Sequence, residues 1–133
     1  MATFNKINSF VEALAEKVHN LGSDTITVAL TNTSHTSTWT QLSDLTEVSY
    51  ANLSARAVTT TSSSQTAGTY TLVLQDLVLT ATGAVGPFRY IYLYNDTASN
   101  DELIGYYDYG SEVTLANGET FTCDFAASTI TLA

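Results

Sequence analysis

Asp108 and Glu112 stand four positions apart across Tyr109-Gly110-Ser111, the arrangement in this chain closest to a pair of catalytic acids. Two carboxyls held about 5 to 9 Å apart in a cleft can cleave a glycosidic bond, one protonating the leaving oxygen and the other attacking or activating water. Acids flanking a turn are more commonly solvated surface charges. A serine hydrolase needs a base beside its hydroxyl. The chain has only two histidines, His19 near a predicted helix end and His35 in a Ser/Thr loop, and no Gly-x-Ser-x-Gly elbow. The single cysteine, Cys123, allows no internal disulfide. It alternates with Phe121 and Phe125, so it faces inward as a small hydrophobe, with no neighbouring cation to activate it. Asn95, Asp96, Thr97, Asn100, Asp101 and Glu102 offer oxygens to a hard cation, but their spacing is not that of an EF-hand, and turns select the same residues. We therefore assign no catalytic residue, no metal and no cofactor, and expect a non-enzyme.

Aromatic and apolar groups are the stronger feature. Phe88, Tyr90, Tyr92 and Tyr94 alternate on one strand, with Tyr106, Tyr107 and Tyr109 following. Tyrosine packs apolar area while keeping a hydrogen bond, which suits a protein interface or a sugar-binding sheet as well as an interior face. Phe4, Ile7, Val11, Leu14, Val18 and Leu21 recur at spacings of three and four, one stripe on a helix. That stripe can pack on the chain's own β body or lie in a partner's groove. The candidate partner interface is Phe4, Ile7, Val11, Leu14, Val18, Tyr106, Tyr107 and Tyr109.

The elements that must carry these groups follow from period. The spacing predicts a helix over Asn5 to Leu21, about 25 Å long, stopped by Gly22. The period then becomes two, with Ile26, Val28 and Leu30 marking a strand. Thr31 to Thr40 reads as a loop or extended arm, and Leu42, Leu45 and Val48 as a turn of helix or an irregular edge. Ser62, Ser63, Ser64, Gln65 and Gly68 suggest a polar turn. Tyr70 to Leu79, Pro87 to Tyr94, Leu103 to Tyr107, Val113 to Leu115, Phe121 to Phe125 and Ile130 to Leu132 supply further strands. Asn117-Gly118 favours a type I′ hairpin. The expected fold is mainly β, a β-sandwich or jelly-roll-like barrel of about seven to nine short antiparallel strands, preceded by one amphipathic helix. Residues 1–22 form the helical segment and 23–133 a single β domain, which is expected to fold without residues 1–21.

Composition narrows the function. Charged residues are only 13% of 133 positions, while 23 Thr and 13 Ser supply hydroxyls instead. Thirteen acids against Lys6, Lys17, Arg56 and Arg89 give a net charge of −9. Phosphate recognition needs Lys and Arg, so no nucleic-acid partner is expected. No apolar run approaches the roughly 18 residues of a membrane span, and Glu12, Glu16 and Lys17 interrupt any secretory signal core. We expect neither membrane contact nor Sec export.

Three stretches carry a family likeness: Gly86-Pro87-Phe88-Arg89-Tyr90 through Leu93-Tyr94-Asn95-Asp96-Thr97; Leu103-Ile104-Gly105-Tyr106-Tyr107-Asp108-Tyr109-Gly110; and Val113-Thr114-Leu115-Ala116-Asn117-Gly118-Glu119-Thr120-Phe121. With Met1-Ala2-Thr3-Phe4-Asn5-Lys6 and Val28-Ala29-Leu30-Thr31-Asn32-Thr33, the chain resembles small virion proteins of tailed bacteriophages. The resemblance implies a capsid decoration, or cement, protein, made in the host cytoplasm and placed on the outer capsid surface. Its partner would be the major capsid protein, and it would itself form a trimer or dimer. A tail or fibre component with a receptor- or sugar-binding role is the alternative.

Overall fold

A computed structural model describes residues 2–126 and 129–133; Met1, which opens the predicted N-terminal segment, lies outside them. The chain is mainly β, with 48% of it in strands and 7% in helix, and every strand pairing is antiparallel. The elements in chain order are β1 (Asn5–Lys6), α1 (Phe10–Ala15), β2 (Ile26–Thr31), a 3-10 turn (Leu42–Asp44), β3 (Ala57–Val58), β4 (Thr60–Thr66), β5 (Thr69–Leu74), β6 (Leu77–Thr80), β7 (Val85–Asn95), β8 (Leu103–Leu115), β9 (Thr120–Cys123) and β10 (Ile130–Leu132). They form a five-stranded sheet ordered β1-β8-β7-β2-β3, a three-stranded sheet β10-β5-β4 and a two-stranded ribbon β6-β9.

The N-terminal helix is much shorter than its periodicity predicts. It spans six residues instead of the run from Asn5 to Leu21. The reason is tertiary. Asn5 and Lys6 pair with Tyr106 and Gly105 on β8, and Ile7 N–H donates to Ile104 C=O at 3.1 Å. Phe4 then fills the space above Gly105 that a side chain there would occupy. At the other end Lys17 takes a left-handed φ of 68° and stops the helix before Gly22. Ile7 and Leu21 of the N-terminal stripe are buried, as is Phe10 beside it, so this segment contributes to the protein's own core.

β7 is the centre of the molecule. An alternating aromatic face was expected, yet Tyr90 through Asn95 are buried on both faces, because β2 and β8 flank the strand and other segments cover each side. One side packs on the ribbon, where Phe88 meets Phe121 and Tyr107 meets Phe125. The other side lies beneath the loop that follows β2. β7 and β8 run 11 and 13 residues, longer than the short strands expected, and their register shifts between Phe88–Val113 and Tyr90–Asp108, so that residues 109–112 bulge. With ten strands among the described residues, the count also exceeds the expected seven to nine, two of the ten being two-residue pairings.

Two turns differ from expectation. Asn117-Gly118 is a turn, with Gly118 at φ 85°, but it joins β8 to β9, which lie in different sheets. The two-residue hairpin is Ala67-Gly68, at φ 51° and 85°, between β4 and β5 with Thr66 opposite Thr69. The polar run Ser62–Gln65 is therefore strand β4 and not a turn.

Candidate interaction surface

The densest cluster of functional side chains sits where the loop after β2 crosses β7 and β8. The positions Tyr90, Tyr92 and Tyr106 share one face, because strand neighbours alternate and Tyr92 stands opposite Tyr106. His35 stacks on Tyr106 with ring centroids 4.3 Å apart and planes inclined by 21°. Tyr106 in turn stacks on Tyr92 at 5.3 Å. His35 Nδ1 and Tyr92 OH are 2.9 Å apart, and Ser34 Oγ and Tyr90 OH are 3.2 Å apart. Trp39 meets His35 edge-on at 5.7 Å. Burial lowers the proton affinity of His35 and raises the Tyr92 phenol above its usual range, favouring the neutral form of each. Tyr92 is wholly buried, while His35, Trp39 and Tyr106 are half-buried and form a ledge of stacked rings.

The predicted interface residues divide. Ile7 and Tyr107 are buried and have no free face to offer. Burial pushes the Tyr107 phenol up to about 12. Phe4 packs edge-on against Tyr107 at 5.7 Å and is half-buried. Val11 is 47% exposed and Tyr109 53% exposed. Leu14 and Val18 are half-buried and border a groove of about 590 Å³ that continues over Leu21, Tyr70 and Leu132. Tyr109 instead caps a separate recess of about 120 Å³ and packs edge-on against Phe121 at 5.1 Å. The structure thus brings Leu14 and Val18 together and sets them apart from Tyr109 and its recess.

The polar groups weighed as chemistry are mostly engaged. Arg89 donates to both Asp108 oxygens, Nε at 2.8 Å and an Nη at 3.1 Å, and Gly110 N–H donates to Asp108 at 2.9 Å. Arg89 therefore holds the Asp108 carboxyl below its ordinary range, the opposite of what a general acid requires. Glu112 accepts from Asn32 Nδ2 at 2.9 Å. In the oxygen-rich loop, Asn95 Oδ1 accepts from Thr97 and Ala98 N–H, Glu102 accepts from Asn100 N–H, and Thr97 Oγ1 accepts from Thr25 N–H. The Asn95 and Glu102 oxygens cap their own loop's backbone, and Thr97 Oγ1 ties the loop to Thr25. Among the described residues no group of three or more His, Cys, Asp or Glu side chains converges as a metal site. Cys123 is buried in the wall of the Tyr109 recess, and desolvation pushes its thiol up to about 12.

The sequence reading missed the His35–Trp39 ledge. Its one local signal is a His and a Trp inside a Ser/Thr run that is otherwise without aromatic residues. It also missed the hydrogen-bonded network in which His19 and Asp24 meet Asn95, more than seventy positions away in the chain. Compared with known proteins, the chain matches no family model, no curated protein and no solved structure.

Proposed function

We propose that this chain is a structural protein of a tailed-bacteriophage virion, a decoration or cement protein that binds the outer capsid surface and strengthens contacts between major capsid subunits. In this reading its sheets form a β-sandwich, and the N-terminal segment with α1 lies at one margin of that body. The observation that carries the reading is where apolar groups remain open: Val11, Val78 and Tyr109 are each about half-exposed, Tyr109 at the edge of its small recess. Such groups can act by burial against a neighbour. A standard interface takes about 800 Å² from each partner, roughly an eighth of this chain's 6770 Å². Repeated over a lattice, a modest contact becomes collectively strong. A net charge of −9 suits a part facing solvent and opposes contact with packaged DNA. Self-association as a trimer or dimer is part of the proposal.

The test is co-sedimentation with assembled shells that lack the protein. Binding to shells but not to unassembled capsid subunits is expected, with weakening on Tyr109→Ser or Val11→Ser. Equal binding by both variants would remove the named surface, and no binding to shells would remove the function.

A second reading, a tail or fibre module that binds receptor or sugar, is favoured by the half-buried His35–Tyr106 stack beside Trp39. Stacked rings with neighbouring hydroxyls suit the apolar face of a pyranose. Glycan-array binding abolished by Trp39→Ala or Tyr106→Ala would support it, and an array without signal would count against it.

A further inference from the structure

His19 is 5% exposed and sits where four segments meet. Asn95, the last residue of β7, is fully buried beside it. Asn95 Oδ1 accepts from Thr97 N–H at 3.0 Å and Ala98 N–H at 3.1 Å, which fixes the orientation of the amide. Its Nδ2 must then be the group facing Asp24 Oδ2 at 2.6 Å and His19 Nδ1 at 3.0 Å. An amide NH₂ only donates, so His19 Nδ1 must accept. The neutral ring therefore carries its proton on Nε2, which is buried without a hydrogen-bond partner among the described residues. Phe10 of α1 covers the ring at 5.3 Å. The ionisable groups acting on it are Asp24, from the connection between α1 and β2, and Glu102, just before β8. Asp24 Oδ2 already accepts from Asn20 N–H at 2.8 Å, and Glu102 Oε1 from Asn100 N–H at 2.9 Å.

We infer that His19 is an acid-operated latch. A proton added to Nδ1 sets an N–H against the Asn95 NH₂, breaks that hydrogen bond, and releases α1 and its flanks from the β7–β8 turn. Desolvation lowers the His19 proton affinity more than Asp24 and Glu102 raise it, so the fold holds the neutral ring. A group depressed on folding contributes stability that is full above its unfolded value, about 6.5, and is lost as pH falls through the folded one.

Hydrogen exchange from pH 7.5 to 5.0, corrected for intrinsic rates, tests the latch. Amides of Ala13, Glu16, Val18, Thr97 and Ala98 are expected to lose protection by up to about tenfold per pH unit once below 6.5, the limit for one linked proton. The β2–β7 ladder should keep its protection. His19→Gln keeps an acceptor for Asn95 but cannot charge, and its exchange should show no such pH dependence. The latch is overturned if wild type shows no local loss, if His19→Gln responds alike, or if the whole ladder opens together. Should His19→Gln fail to fold, the imidazole ¹⁵N shifts of the wild type decide. An Nε2–H tautomer titrating below 6.5 is expected, whereas an Nδ1–H tautomer, or titration at or above 6.5, overturns the latch.

Discussion

Gly105 sets the path of the N-terminus, because Phe4 lies directly over its Cα and β1 runs beside it. A Cβ at this position would collide with the Phe4 ring. Gly105→Ala should displace Phe4 and lower stability by about 1–3 kcal/mol, the range for overpacking. A urea midpoint lower than wild type with an unchanged slope is the expected result, and an unmoved midpoint would show that Phe4 yields freely. At Cys123 the expectation is chemical. A buried thiol pushed up to about 12 is scarcely ionised at pH 8, so a thiolate-selective reagent should label the native protein slowly and the urea-unfolded protein fast. Fast labelling of the native state would place the thiol in solvent. Asp108 depends on Arg89. Arg89→Ala should return its titration, followed by carboxyl NMR, upward toward the ordinary range; an unmoved titration would leave the depression to Gly110 N–H alone.

Elements show what local sequence can and cannot specify. β2 was legible because Ile26, Val28 and Leu30 alternate with smaller residues, and β7 because its aromatic alternation admits only an extended chain. The N-terminal stripe misled because Phe4, Ile7, Val11 and Leu14 satisfy a three-and-four spacing while β8 captures Asn5 and Lys6. A six-residue helix has little stability of its own, so packing decides its length. Asn117-Gly118 did specify a turn, yet which strands pair is a long-range matter that a dipeptide does not encode. The turn at Gly68 was anticipated but drawn too wide, because Ala seldom adopts φ 51° and Ala67-Gly68 does not read as a two-residue hairpin turn. Ala67→Asn should relieve that position and stabilise the β4–β5 hairpin by about 0.5–1 kcal/mol, read as a higher melting temperature. A lower one would mean that residue 67 is not in a type I′ turn. Truncation of residues 1–21 also changes its expected outcome once the packing is known. Ile7, Phe10, His19 and Leu21 are buried, so removing them should open the core and broaden or abolish cooperative unfolding. A truncated chain with a sharp, unshifted transition would show that the β body stands alone.

At the scale of the whole molecule, the sequence made the β class and the acidic, hydroxyl-rich surface legible. The candidate site was legible only in part. Of the residues named for a partner surface, Val11 and Tyr109 are exposed, while Ile7 and Tyr107 were claimed by the core, which competes for the same residue types as an interface. The proposed adhesive role asks little of chemistry and much of copy number, since each contact is modest and strength comes from repetition over a lattice. The most direct measurement is the ratio of this protein to the major capsid subunit in purified virions, by quantitative gel or mass spectrometry, with its position located by electron microscopy. A ratio comparable to the capsid subunit, with density on the outer face of the head, is the predicted result. A few copies per particle, or density confined to the tail, would contradict it.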